Sequence, residues 1–212
     1  VLPNALDERD ILAKSPTGSG KTLAFGIPLV ELTDRQDGPC AAVVLVPTRE
    51  LATQVTEELS VIAAARKLKV TAVYGGVPLP AQAKRAAAAH ILVATPGRLT
   101  DLVSRKLISL AKVHTLVLDE ADRMLDMGFI GPVKAIAAAI GPRRQTALFS
   151  ATMAPEIATL AKRDLAAGSN VVSDGLSCWT AVGEAGCDHF PMVTGSGPNA
   201  AKWVPFTWVN TA

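Results

Sequence analysis

Charge of one sign is not in excess in this chain: 21 Lys and Arg stand against 19 Asp and Glu in 212 residues, a formal net charge of +2 with a pI near 8.5. So mild a balance carries no electrostatic signature of a nucleic-acid binder, and any contact with a phosphate backbone has to come from a local basic patch. Cysteine is scarce too. The three present are odd in number and irregular in spacing, which excludes a disulfide framework and points to a reducing, intracellular setting. No apolar run approaches the roughly 18 residues of a membrane span, and the first residues lack the basic and apolar layout of a signal peptide. The expected location is the cytoplasm, with no membrane partner. Internal repeats and long low-complexity segments are absent.

What is present is apolar. Hydrophobic residues make up 49% of the chain and the mean hydropathy is +0.30, enough for the core of one large domain or two small ones. Short runs rich in Val, Ile and Leu recur at 10–14, 42–47, 70–75, 90–95, 114–119 and 145–152. Most lack alternation, which predicts strands buried on both faces, as in a parallel sheet. Between them, segments such as 48–66 have helical spacing, with Leu51, Val55, Leu59 and Ile62 on one face. Strand and helix therefore alternate. That pattern predicts an open α/β sheet whose ligands sit beyond the carboxyl ends of the strands.

Each candidate motif falls at such an end. "SPTGSGKT" at 15–22 nearly satisfies the phosphate-loop pattern G-x-x-x-x-G-K-[ST], with Ser15 in place of the first glycine. A predicted strand leads into it and a helical segment follows Lys21. Backbone N–H groups and the positive end of that helix can cradle phosphate oxygens, and Gly18 and Gly20 allow the tight curvature. Lys21 is placed to reach β- and γ-phosphates, and the Thr22 hydroxyl to hold Mg²⁺. A metal bound to nucleotide phosphates needs a carboxylate opposite the loop, and Asp119 follows directly on a buried run. Glu120 beside it suits the orientation of an attacking water. Read alone, the loop also suits a solvated Gly-Ser turn, and the acids suit a helix start.

The residues "DEAD" at 119–122 then carry a resemblance. With "SPTGSGKT", "PTRELA" at 47–52, "GG" at 75–76, "TPGRL" at 95–99 and "SAT" at 150–152, all in the same order, the chain resembles the first RecA-like domain of a DEAD-box RNA helicase from about Val1 to Ala167. The resemblance implies a RecA-like P-loop NTPase fold, an open, mostly parallel sheet with helices on both faces. It implies ATP and Mg²⁺ as cofactors, with Ser15, Thr17, Gly18, Ser19, Gly20, Lys21 and Thr22 at the nucleotide, Thr22 and Asp119 at the metal, and Lys21, Asp119 and Glu120 as the catalytic set. It implies RNA backbone contact by Pro47, Thr48, Arg49, Gly76, Thr95, Pro96, Gly97 and Arg98, without sequence preference. Finally, it implies coupling of the two faces through Asp122 with Ser150 and Thr152. Locally, Arg49 also suits an exposed helix start, Gly75 and Gly76 a plain loop, and Thr152 a cap for the helix beginning near Pro155.

The implied activity is ATP binding and hydrolysis coupled to RNA binding and local strand separation. The front of the chain departs from the family: the glutamine and aromatic residue with which the family reads adenine do not precede the loop. At the back, residues 169–212 hold all three tryptophans and two of the three cysteines but only four charged residues, Asp174, Glu184, Asp188 and Lys202. The expectation is a RecA-like domain over 1–168, shortened at its front, and an atypical, poorly ordered tail over 169–212. The family's second RecA-like domain is then an outside partner, and the chain alone turns over weakly. A non-catalytic RNA-binding or regulatory fragment and an unrelated P-loop nucleotidase are the alternatives.

Other residues invite structural readings. His90 and His114 sit at strand starts without metal spacing, and Met124, Leu125, Met127 and Phe129 read as packing residues. Cys178, Cys187 and His189 match no usual zinc spacing. Arg66, Lys67 and Lys69 read as a solvated helix end.

Overall fold

The computed structural model of the protein describes residues 1–14, 20–141, 144–152, 154–164, 170–173 and 188–191. The apolar runs form strands β1 (Ile11–Lys14), β2 (Ala42–Leu45), β3 (Val70–Val73), β4 (Ile91–Ala94), β5 (Thr115–Leu118) and β6 (Gln145–Ser150). Two further strands, β7 (Asn170–Ser173) and β8 (Asp188–Pro191), extend one side of the sheet. The spatial order is β3-β4-β2-β5-β6-β1-β7-β8, and every pairing is parallel.

Unalternating strands serve two cores at once, because successive side chains point to opposite faces. In β2 and just beyond it, Val43 and Leu45 enter one apolar cluster while Ala42, Val44 and Val46 enter the other. The second cluster is covered by α1 (Leu2–Leu6), α2 (Lys21–Leu32) and α3 (Arg49–Ala64). The first is covered by α4 (Leu79–Ala86), α5 (Pro96–Ser104), α6 (Ala121–Asp126), α7 (Ile130–Ile140) and α8 (Pro155–Asp164). Helices thus lie on both faces, and none among the described residues is long and apolar enough to cross a membrane.

In α3, Val55 and Leu59 are fully buried and Leu51 and Ile62 pack at the margin, as their spacing predicts; Ala52 and Ala63 complete the hidden face. Where α3 meets α2, backbone and side chain approach closely: a Cβ placed on Gly26 would lie 2.6 Å from Leu59 Cδ2. Only glycine fits there without displacing Leu59.

The register brings the carboxyl ends level. Lys14 pairs with Ser150, Leu45 with both Leu118 and Ala94, and Val73 with Ala94. Backbone bonds continue the ladder one residue further, from Val46 N–H to the Ala94 carbonyl (3.0 Å), Asp119 N–H to Leu45 (2.9 Å) and Thr95 N–H to Val73 (2.9 Å). At the opposite rim, the buried Gln145 amide donates to the carbonyls of Ala5 (2.8 Å) and Arg9 (3.0 Å), and Asp10 Oδ1 accepts from Thr146 N–H at 2.6 Å. These bonds tie the opening residues to β6.

Three readings change. Met127 is 47% exposed and does not pack, because it caps the end of α6 beyond the buried Met124. Arg66 is not simply solvated: its guanidinium reaches Glu31 at 2.9 Å and pins the end of α3 to α2. Within 169–212, residues 170–173 and 188–191 are strands in the sheet, whereas Cys178 and Cys187 lie outside the described residues. Asn170–Val172 pair with the otherwise open side of β1, which satisfies backbone groups that β6 leaves free.

Phe25 of α2 and Phe149 of β6 stack at 5.5 Å between ring centroids, tilted by 55°, in the centre of one core. Phe149→Ala is expected to cost about 3–5 kcal/mol, read from the denaturant midpoint. His90 Nδ1 accepts the Lys69 N–H at 2.9 Å, which requires the neutral ring. Desolvation first, then the Lys69 charge, holds its pKa below 6.5. The unfolded state therefore binds the proton more readily, and the stability from this contact is full above about pH 6.5 and lost as pH falls through the lowered value. Unfolding midpoints measured across that range should decline more steeply for wild type than for His90→Asn, whose amide oxygen accepts at any pH.

Candidate active site

Gly20, in the left-handed region at φ +77°, turns the chain into α2, so Lys21 is the first residue of that helix. Its side chain is only 9% exposed, and Nζ lies 3.5 Å from Oδ1 of Asp119. Asp119 follows β5 directly and is itself buried, with its backbone held to Leu45. Burial drives the Asp119 pKa upward, and the Lys21 ammonium opposes the rise. An ion pair so desolvated is costly, and two opposite charges held together at a helix N-terminus form a ready seat for an anion with its metal.

Glu120 adopts φ 52° and ψ 51°, a left-handed conformation costing on the order of 1–2 kcal/mol in a non-glycine residue. The sharp turn passes the chain from β5 into α6 within one residue and leaves two carboxylates side by side. Glu120 N–H donates to Asp119 Oδ1 at 3.0 Å, and Arg123 Nη1 reaches Glu120 Oε2 at 3.3 Å. In the first turn of α6, Asp122 Oδ2 accepts from both the backbone N–H (3.1 Å) and the hydroxyl (3.2 Å) of Thr152. Thr152 thus bonds to Asp122 through both its N–H and its hydroxyl. Ser150 does not join this contact. It ends β6 in register with Lys14, one residue before the bend at Ala151, and its buried hydroxyl has no partner among the described residues.

A second group of residues gathers beside this one along the same rim. Thr48 caps α3, its hydroxyl accepting from Leu51 N–H at 3.2 Å, and sets Arg49 and Glu50 in the first turn. Arg49 is exposed and bonded to Glu50 at 2.7 Å, a contact that holds the Glu50 carboxyl below its usual pKa. Gly76, at φ +84°, places its backbone so close that a Cβ there would lie 3.8 Å from Arg49 Nη1. Thr95 is extended, as a residue before proline should be, and Pro96 opens α5 at N1. Pro47 and Pro96 are buried, so they shape their turns and present no surface; Arg49, Gly76 and Gly97 are exposed.

Arg98 is bonded to protein: its Nη1 donates to the Val77 carbonyl (2.8 Å) and to Gln82 Oε1 (2.9 Å). Gln82 in turn donates to the Tyr74 carbonyl at 3.1 Å. Sequence reasoning passed over Gln82 and Arg123. Gln82 carries a legible signal, since it stands three residues from Leu79 and four from Ala86 and so shares the buried face of α4. Ser15, Thr17, Gly18 and Ser19 lie outside the described residues, and Thr22 is partly buried in the first turn of α2.

The sequence profile of DEAD/DEAH box helicases matches residues 1–160, which includes every one of these motif residues. The chain belongs to the DEAD/DEAH box helicase family. Among curated members, the DEAD-box ATP-dependent RNA helicase CshA of Geobacillus kaustophilus is 45% identical over 164 residues, 77% of this chain and 35% of that protein. CshA of Streptococcus pneumoniae is 46% identical over 154 residues, covering 72% and 29%. The chain spans about a third of the length of these relatives. A DEAD box protein from the hyperthermophile Methanococcus jannaschii superposes with TM-score 0.78 at 43% identity, over 82% of this chain and 47% of that one. A hypothetical ATP-dependent RNA helicase from Sulfolobus tokodaii gives 0.74 at 40% identity, over 81% and 50%. The open parallel sheet with its helices is therefore the RecA-like fold of a DEAD-box domain.

The Asp122–Thr152 contact is testable without ligand. In a double-mutant cycle on unfolding free energy, Asp122→Asn and Thr152→Val should be non-additive by about 1 kcal/mol, whereas independence of the two would dissolve the contact.

Proposed function

We propose that this domain binds ATP with Mg²⁺ at the Lys21–Asp119 pair, and binds RNA backbone along the neighbouring turns. In the whole protein, the reading is ATP hydrolysis coupled to local strand separation of RNA. The observation that carries it is the buried 3.5 Å approach of Lys21 to Asp119 at the N-terminus of α2. A cation and an acid with a raised pKa, both withdrawn from water, fit a magnesium triphosphate, which would supply the Asp119 carboxylate with a cation and Lys21 with an anion. Ser15, Thr17, Gly18, Ser19 and Gly20 would cradle the phosphates, Thr22 and Asp119 would hold the metal, and Glu120 would orient the attacking water. When bound, the metal neutralises charge on the phosphates during transfer.

For RNA, the exposed Arg49, the open backbone at Gly76 and Gly97, and the start of α5 at Thr95 support phosphate and sugar contact. Pro47, Thr48 and Pro96 would act by fixing these turns, and Arg98 from beside them. The bonds between Asp122, after β5, and Thr152, after β6, support a coupling role. A second RecA-like domain, implied by the family, would bring an arginine finger worth on the order of 10³–10⁵ in rate. Phosphate release by the 212 residues alone should accordingly be slow and rise when that domain is supplied separately.

Nucleotide binding with and without Mg²⁺, comparing ATP with GTP, tests the assignment. Lys21→Ala should weaken ATP binding by about ten- to a hundredfold, the worth of a charge-assisted contact. Equal affinity in the variant would remove the phosphate site from this end of α2. Reduced RNA crosslinking in Arg49→Ala would support the RNA face, while unchanged crosslinking would favour a P-loop nucleotidase that handles no RNA.

A further inference from the structure

Gln82 is the most enclosed polar side chain on α4, with no solvent exposure, yet neither of its amide bonds serves the helix that carries it. Its nitrogen donates to the Tyr74 carbonyl at 3.1 Å and its oxygen accepts from Arg98 Nη1 at 2.9 Å. The orientation of the amide is fixed by chemistry, since a guanidinium only donates and the oxygen must face it. The same Arg98 nitrogen donates to the Val77 carbonyl at 2.8 Å. Amide and guanidinium therefore grip the turn on either side of its two glycines, Tyr74 before Gly75 and Val77 after Gly76.

Support from the sheet ends just before that turn. It leaves β3, the outermost strand on its side of the sheet, which pairs only with β4. The bond from Thr95 N–H to the Val73 carbonyl ends the ladder just before it. Gly75 and Gly76 are exposed, and Gly76 sits at φ +84° against the Arg49 guanidinium. Two adjacent glycines cost more conformational entropy to order than any other pair, so a turn built on them holds one shape only where bonds impose it.

We propose that Gln82 is a positioning residue for RNA binding: with Arg98 it clamps residues 74–78 so that the backbone at Gly76 and the Arg49 side chain face the RNA together, while Gln82 itself makes no RNA contact. The proposal rests on the RNA reading above. It also assigns Arg98 a structural share in that face, since the guanidinium is the clamp's other jaw. A buried glutamine serving the core alone would be bonded within α4 or to the sheet interior, and its loss would weaken every property of the domain in proportion.

The full chain is titrated into a short fluorescein-labelled single-stranded RNA of mixed sequence and, separately, into a fluorescent ATP analogue with Mg²⁺. Gln82→Leu, close in volume but unable to bond, should lose about tenfold in RNA affinity, the worth of one lost contact to a charged group, with analogue affinity unchanged. Gln82→Glu, which keeps the acceptor for Arg98 but loses the donor to the Tyr74 carbonyl, should lose RNA affinity as well and accelerate exchange over 74–78. Amide hydrogen exchange over 74–78 should accelerate in Gln82→Leu while β4 and β5 stay protected. Wild-type RNA affinity in Gln82→Leu beside a loss in Arg49→Ala would overturn the proposal, as would a parallel fall of RNA affinity, analogue affinity and thermal midpoint. If the wild-type chain binds no RNA, the RNA reading is what fails. The clamp is then decided by exchange alone, upheld by acceleration at 74–78 and refuted by unchanged rates.

Discussion

Lys21 and Asp119 come from two strands that are not neighbours: β1 leads to one, β5 to the other, and β6 runs between them. Holding an ammonium and a carboxylate 3.5 Å apart with so little solvent is unfavourable unless the backbones on both sides are immovable. The sheet supplies that rigidity. Asp119 is bonded through its own N–H to β2, and Lys21 begins a helix packed by Phe25, Leu29 and Val30 into the core beneath. Everything else at the carboxyl rim takes its place from the same level register, so the charged pair and the exposed turns beside it share one frame.

Strain and burial meet at this rim. Glu120 occupies a backbone region that its side chain disfavours, Ser150 keeps a buried hydroxyl without a partner among the described residues, and Asp119 carries a charge its surroundings oppose. The opposite rim carries tension of its own, with Glu8, Cys40, Lys67 and Lys106 in left-handed backbone and the Thr146 hydroxyl buried without a partner among the described residues, although the Gln145 amide and the Asp10 carboxylate are bonded there.

Much of the architecture was legible in the residues. Six apolar runs, most without alternation, marked six strands, of which only the outermost, β3, is not largely buried, and Leu51, Val55, Leu59 and Ile62 disclosed the inner face of α3. The motif residues were legible because each directly follows a strand, so that chain order alone carries them to the rim. What escaped is long-range. Arg98 reads as a free cation until Gln82 and Val77 are brought to it from well upstream, and nothing local shows that Ser150 stops short of Asp122. Strands β7 and β8 escaped for another reason, since "NVVS" and "DHFP" are too short to show a period and gain their strand character by pairing, β7 with β1 and β8 with β7.

The parallel topology divides the labour of the connections. The passages that leave β2, β3, β4 and β5 for their helices open on the rim with the motifs, while the returns at 33–41, 65–69, 87–90 and 105–114 come back on the far side. Lengthening a return loop adds only a slowly growing closure entropy and disturbs no motif residue. The stretch 105–114, with Lys106 in a left-handed turn and Leu107 open to solvent, is thus a natural place to graft a label, an immobilisation handle or an inserted module.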